Sequence, residues 1–301
     1  MSVLVVGSVA FDTLKTPLGE ANEIVGGAAT YFAVTASYFV PVNMVAVVGE
    51  DFGAEQFKVF EGRTIDTAGV ERARGRTFRW SGEYSGDMNE ARTLDTQLNV
   101  FESFAPKLPQ PYLASEFVFL ANIHPALQLQ VRQQLPDAKL VGLDTMNYWI
   151  QRTPEDLRRA LGAVDLLMIN DKEARMLADV GNLRRAASEI RKLGPPSLVV
   201  KRGEYGACLF HYDSIFFAPG YPLEEVHDPT GAGDTFAGGF MGCLAREGRV
   251  NDVSLRRALV YGSVMASFAV EKFGLGRLLE LSWDEIQERF NEFKSMTHFD
   301  V

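Results

Sequence analysis

The feature that most limits the fold is an alternation of short, predominantly apolar runs with stretches of helical periodicity. The apolar runs cover 3–6, 43–48, 117–120, 140–143, 166–169, 198–200 and 207–210. Helical patterns occupy 28–39, 54–61, 127–134, 155–161, 172–179, 184–193, 234–246, 255–272 and 283–295. A strand that is apolar on both sides needs cover on both sides, and the intervening helices supply it. The expectation is one α/β domain over residues 1–301, with a mostly parallel central sheet between two helical layers. That length is enough for such a domain with a small appendage.

Two stretches break the rhythm. Residues 11–25 are too polar and turn-rich for a helix, and residues 77–100 alternate Phe78, Trp80 and Tyr84 with polar neighbours. Both suit exposed antiparallel strands, and two such pairs leaving one sheet edge would form a flap. A flap of this kind either excludes water from a reaction or serves as a dimer contact.

The richest motif is Asp228-Pro-Thr-Gly-Ala-Gly-Asp234, which runs into an apolar stretch containing Gly238, Gly239 and Gly242. It reads as a loop delivering its backbone into a helix N-terminus. With little or no side chain at Gly231, Ala232 and Gly233, their amides can approach an anion closely, assisted by the helix dipole. Asp234 would repel a phosphate in the first turn, so its presence there suggests a proton acceptor beside a phosphoryl site. Small residues further along the helix allow close packing on a sheet or a nucleotide.

Other motifs carry two readings each. Asp12, in Gly7-Ser-Val-Ala-Phe-Asp12, follows the first strand at the edge where open α/β sheets bind ligands, so it either accepts bonds from vicinal hydroxyls or caps a turn. Gly26-Gly27 permits close approach to a hydroxylated ligand or a plain loop-to-helix joint, and Gly49–Gly53 has the same ambiguity. Asn170 and Glu173 have oxygens spaced to hold Mg²⁺ through water, or they form a capping box. Lys201, in the turn Lys201-Arg-Gly-Glu-Tyr-Gly206, either faces nucleotide phosphates or belongs to a solvated charge pair.

A net charge of −9 without any basic run argues against a nucleic-acid partner. Cys208 and Cys243 lie in apolar stretches and read as buried reduced thiols. The four histidines (124, 211, 227, 298) have no ligand or triad spacing, and Walker A, GxGxxG, HExxH and GxSxG sequences are absent. No apolar run approaches the ~18 residues that span a bilayer, and no leader pattern begins the chain, so the expected location is cytoplasmic.

Taken in order along nearly the whole chain, these motifs resemble the ribokinase/phosphofructokinase-B family of small-molecule kinases. The resemblance implies a ribokinase-like three-layer sandwich with a small β lid at about 11–25 and 76–101. It implies an ATP- and Mg²⁺-dependent kinase acting on a hydroxymethyl group of a small sugar. Asp234 would be the base and the amides of Gly231, Ala232 and Gly233 the anion hole. Asp12, Gly26 and Gly27 would bind the acceptor. Lys201, Gly203, Gly206, Ala266 and Gly274 would bind nucleotide, with Ser267 also giving room for the adenine. Asn170 and Glu173 would serve Mg²⁺, Asp228 a K⁺ ion, and the lid a homodimer contact. Departures at Thr30-Tyr31, at Asp144-Thr-Met-Asn-Tyr-Trp149 and at Pro229 leave the acceptor open, with a ribonucleoside of adenosine, inosine or cytidine type as the alternative. A non-catalytic phosphosugar or nucleotide sensor is a further alternative, and a dinucleotide oxidoreductase is disfavoured by the missing glycine fingerprint.

Overall fold

A computed structural model describes residues 1–86 and 88–298. Strand β1 (Val3–Val6) precedes an excursion of β2 (Ala10–Thr16) and β3 (Gly19–Gly26), then α1 (Ala28–Ala36) and β4 (Val42–Val48). Helix α2 (Ala54–Phe57) leads to β5 (Ile65–Arg72), and a second excursion forms β6 (Phe78–Tyr84) and β7 (Ala91–Gln97). The chain continues through β8 (Phe117–Leu120), α3 (Pro125–Gln133), β9 (Leu140–Asp144), α4 (Asn147–Arg152) and α5 (Pro154–Leu161). Next come β10 (Leu166–Asn170), α6 (Asp171–Ala178), α7 (Leu183–Arg191) and β11 (Ser197–Lys201). A hairpin of β12 (Ala207–His211) and β13 (Ser214–Ala218) is followed by α8 (Ala232–Glu247), α9 (Asp252–Ala269), α10 (Gly276–Glu280) and α11 (Trp283–Thr297).

The main sheet has nine strands in the order β13-β12-β11-β10-β9-β8-β1-β4-β5. Every pair from β5 to β11 is parallel, and only the β12 hairpin turns antiparallel at one edge. Strand side chains alternate between two cores, which makes three layers. Val3, Val5, Met44 and Phe119 pack with residues of α1, α8 and α9 on one face. Leu4, Val6, Val118 and Leu120 pack with residues of α3, α5 and α7 on the other. Each such side chain stabilises the fold by about 1.5–3 kcal/mol through lost apolar exposure. Among the described residues no helix is long and apolar enough to cross a membrane.

Two strands escape the apolar-run criterion. Strand β5, Ile65-Asp-Thr-Ala-Gly-Val-Glu-Arg72, is half exposed at the sheet edge, and β13 is an edge strand of similar mixed burial. An edge strand meets water on one side and needs no continuous apolar run.

The glycines of α8 have a different use from the one the sequence suggests. A Cβ at Gly238 would lie 2.6 Å from the Phe32 carbonyl oxygen, and one at Gly239 would lie 2.8 Å from that of Tyr261. One at Gly242 would meet the Phe39 ring at 3.0 Å. These residues let α8 wedge between α1 and α9, so the close packing is on helices rather than on a sheet or a nucleotide.

The two excursions join in a four-stranded sheet of order β3-β2-β6-β7, the flap. Each hairpin is antiparallel, but β2 and β6 run parallel where the hairpins meet, with Asp12 opposite Trp80. The flap base is tied to the loop after β4. The Gly49 amide donates to Thr77 Oγ1 at 2.9 Å, and Asp51 accepts from the Thr77 amide and hydroxyl. Arg79 donates to Asp51 at 2.8 Å and lies over the Phe11 ring. The Gly49–Gly53 segment therefore anchors the flap.

Candidate active site

The carboxyl ends of β9, β10 and β11 deliver Asp144, Asn170 and Lys201 to one edge of the sheet, where ligands of parallel α/β sheets bind. The flap brings Asp12 over the same edge. Its carboxylate occupies the space that a side chain on Gly26 would need: a Cβ there would lie 2.6 Å from Asp12 Cγ. The Gly27 amide donates to that carboxylate. Gly26 and Gly27 thus form the seat of Asp12. Burial, with Asp228 and Asp234 nearby, raises the Asp12 carboxyl to about 7.

The loop 228–234 faces Asp12. Gly231 begins α8 with φ 73°, and its missing side chain leaves room for the Tyr31 ring packed against it. Among the described residues the buried Tyr31 hydroxyl has no hydrogen-bond partner. The Ala232 amide is spent internally on the Pro229 carbonyl at 3.2 Å, whereas the Gly231 and Gly233 amides have no partner among the described residues. Of the three amides expected to face an anion, the one at Ala232 is thus occupied within the loop. Asp228 is fully buried and accepts from the Thr230 amide at 2.9 Å and the Gly274 amide at 2.8 Å, which fixes the loop against the segment after α9. Thr230 also donates to the Tyr84 hydroxyl at 3.1 Å and so links loop to flap.

Asp234 lies in the first turn of α8, partly exposed. Burial, then the charge of Asp144, raises its carboxyl to about 7, and Lys201 opposes that shift. Lys201 sits 3.4 Å from Asp144 Oδ2, and its Nζ would be 2.9 Å from a Cβ on Gly233, so the glycine admits the ammonium to the amide loop. Burial alone would lower the Lys201 pKa, but Asp144, Glu173 and Asp234 outweigh it and hold the ammonium charged. This corrects the solvated-pair reading: the lysine is enclosed among three carboxylates.

Asn170 and Glu173 make a complete capping box. The Asn170 amide donates to Glu173 Oε2, and the Glu173 amide donates to Asn170 Oδ1, both at 2.8 Å. Burial and the Asp144 charge raise the Glu173 carboxyl to about 7. Among the described residues no three His, Cys, Asp or Glu side chains form a metal cage.

The other expected residues are more peripheral. Gly203 lies against the flap residue Asn89, and Lys172 pairs with Glu90 at 2.7 Å, so the flap tip reaches this side of the cleft. Gly206 is a tightly packed turn against Ala218, Ala266 packs on the core, and Ser267 accepts from Arg289. Gly274 serves Asp228 and meets Ile24 of the flap. Sequence reasoning missed Asp144 as a member of the cleft. Asp144 could have been found, because it ends an apolar strand as Asn170 and Lys201 do.

The sequence pattern of the pfkB family carbohydrate kinases matches residues 2–281. A cytidine kinase of Thermococcus kodakarensis is 29% identical over 253 residues, which are 82% of this chain and 89% of that protein. Among solved structures, a nucleoside kinase of Methanocaldococcus jannaschii superposes with a TM-score of 0.77 at 22% identity, covering 97% of this chain and 98% of its own. An Escherichia coli protein described as Ribokinase II, solved with ATP and Mg²⁺, superposes with a TM-score of 0.78 at 19% identity, covering 97% and 99%.

Proposed function

Because the chain belongs to the pfkB family of carbohydrate kinases, we propose that it moves the γ-phosphate of ATP to a hydroxymethyl group of a small sugar, with Asp234 as the base. Asp12 holds the acceptor hydroxyls from the flap. Asp234 takes the proton of the attacking hydroxyl as its oxygen bonds to the γ-phosphorus. The bond from that phosphorus to the β–γ bridging oxygen breaks, and ADP leaves. The free amides of Gly231 and Gly233 and the ammonium of Lys201 oppose the charge that builds on the transferred group. Gly203, Gly206, Ala266 and Gly274 shape the nucleotide side.

The donor set fits Mg²⁺ as a phosphate-borne cation. Glu173 is half-buried and Asp144 buried, the charge of Asp144 raises the Glu173 carboxyl, and a cation between them and the phosphates would relieve that repulsion. Asn170 and Glu173 would hold it there through water, and it would neutralise the β- and γ-phosphate oxygens. Asp228 is the candidate K⁺ ligand, tested by exchanging K⁺ for Na⁺ in the assay. Strands β3 and β7 are largely exposed flap edges suited to a homodimer contact, which a solution mass measurement tests.

The observation that carries this reading is a carboxyl raised to about 7 in the first turn of a helix with unpaired amides, beside an enclosed lysine. Asp234→Asn should lower turnover by roughly two to four powers of ten with folding intact. Unchanged turnover would remove the base. A second reading, a ribonucleoside acceptor, is favoured by the names of the cytidine and nucleoside kinase relatives. An ATP-consumption screen over ribose, fructose, adenosine, inosine and cytidine separates the two.

A further inference from the structure

One aromatic side chain of the flap, Trp80, stands on the strand face that carries Asp12. Alternation along β2 and β6 puts Asp12, Leu14, Trp80, Gly82 and Tyr84 on one face of the flap. That face looks into the cleft, because Asp12 lies in the field of Asp228 and Asp234 while Tyr84 bonds to Thr230. The opposite face carries Phe11 beneath Arg79. The Trp80 indole lies over the backbone of Gly82, where a Cβ would fall 2.6 Å from its Cζ2 and 3.0 Å from its Cζ3. Its Nε1 donates to Thr93 Oγ1 at 3.3 Å, and Thr93 is the β7 residue opposite Gly82. The six-membered ring thus fills the space beside the bare Gly82, and the indole nitrogen is tethered to β7. Among the described residues Trp80 has no ring or cation partner, and it remains partly exposed.

This is a rigid aromatic surface placed in advance, immediately beside Asp12 in the strand register. The carboxylate stands on β2, whereas the indole reaches across β6 towards β7. Neighbouring strands are ~4.8 Å apart, so the ring centre is displaced sideways from Asp12 by more than one strand spacing. A sugar held by its hydroxyls at Asp12, with its hydroxymethyl group at Asp234, leaves the indole uncovered unless the sugar bears a further planar group. We propose that Trp80 is the specificity-determining platform of the acceptor site, and that the group it takes is the base of a ribonucleoside. This rests on the kinase reading of the cleft and names the acceptor class within it.

The test is steady-state phosphoryl transfer by the full chain and by Trp80→Leu, Trp80→Phe and Thr93→Val, each checked for folding. Acceptors are cytidine, adenosine and inosine against ribose, fructose and myo-inositol. Stacking on an aromatic ring predicts that Trp80→Leu lowers kcat/KM for nucleosides about ten- to hundred-fold, mainly through KM. Transfer to bare sugars should change by less than about two-fold, since they do not reach the ring. Trp80→Phe should restore most of the nucleoside activity, and Thr93→Val should show a smaller loss confined to nucleosides. Equal losses on both acceptor classes, or no loss on nucleosides, overturn the proposal. Transfer to bare sugars and to no nucleoside overturns it while leaving the kinase reading in place. Transfer to nothing in the panel overturns both.

Discussion

Two helix N-termini point into the same cleft, and their first turns are finished in opposite ways. Helix α6 is closed by its own side chains, with Asn170 and Glu173 each satisfying a backbone amide of the other. Helix α8 begins at Gly231 with no side-chain cap, and among the described residues the amides of Gly231 and Gly233 have no partner. Uncapped amides normally cost stability. On the proposed reading the difference teaches that α8 keeps its first turn open for a phosphoryl group, while α6 mainly fixes the position of a carboxylate. Lys201 lies between them, paired with Asp144 and reaching the α8 loop through the gap at Gly233.

The strongest test of that contrast is Lys201→Met, which keeps the volume but removes the cation from the open end. Turnover should fall by about 10²–10³-fold, as for other lost stabilisers of transition-state charge. A much smaller loss would mean that the amides of α8 act alone.

Next in size is the pH profile. Burial raises the carboxyls of Asp12 and Asp234 to about 7, and in the proposed roles both act in the ionised form. The logarithm of kcat/KM should therefore fall with a slope of about one to two as pH drops below ~7. A flat profile down to pH ~5 would break the assignment. The same shift has a stability counterpart. A carboxyl with a folded pKa near 7 keeps a proton that the unfolded chain has lost, so its contribution to stability declines as pH rises from about 4 to about 7. In thermal melts at pH ~8, Asp234→Asn should be the more stable protein by a few degrees, about 1 kcal/mol or more. Near pH ~4 the gain should vanish.

The smallest effect belongs to the closed terminus. Asn170→Ala removes a cap and should cost about 1 kcal/mol of stability by denaturant titration. If it instead abolished activity without touching stability, the pair would be serving a ligand more than the helix.

Most of the sheet was legible because strands buried on both faces must be apolar throughout, as Val3–Val6 and Phe117–Leu120 are. Strands β5 and β13 were not, since edge strands are free of that demand. The Asp228–Asp234 loop was legible from its turn chemistry, but the spending of the Ala232 amide on Pro229 depends on the fine path of the loop. The enclosure of Lys201 could not be read locally either, because two of its three carboxylate neighbours, Asp144 and Asp234, come from distant parts of the chain. The glycines of α8 carried a true signal of close packing with the partner misjudged. Nothing in the composition of a helix face says whether a helix, a sheet or a nucleotide will lie on it.

The seat of Asp12 has an experimental consequence of its own. Because its carboxylate fills the hollow left by the bare Cα of Gly26, a single methyl group added there would evict it while leaving the far half of the cleft untouched. Gly26→Ala is thus a natural blank for work in living cells: a chain expected to load ATP yet unable to grip its cargo. Comparing a strain that carries it with a deletion strain would separate the consequences of missing chemistry from those of a missing protein.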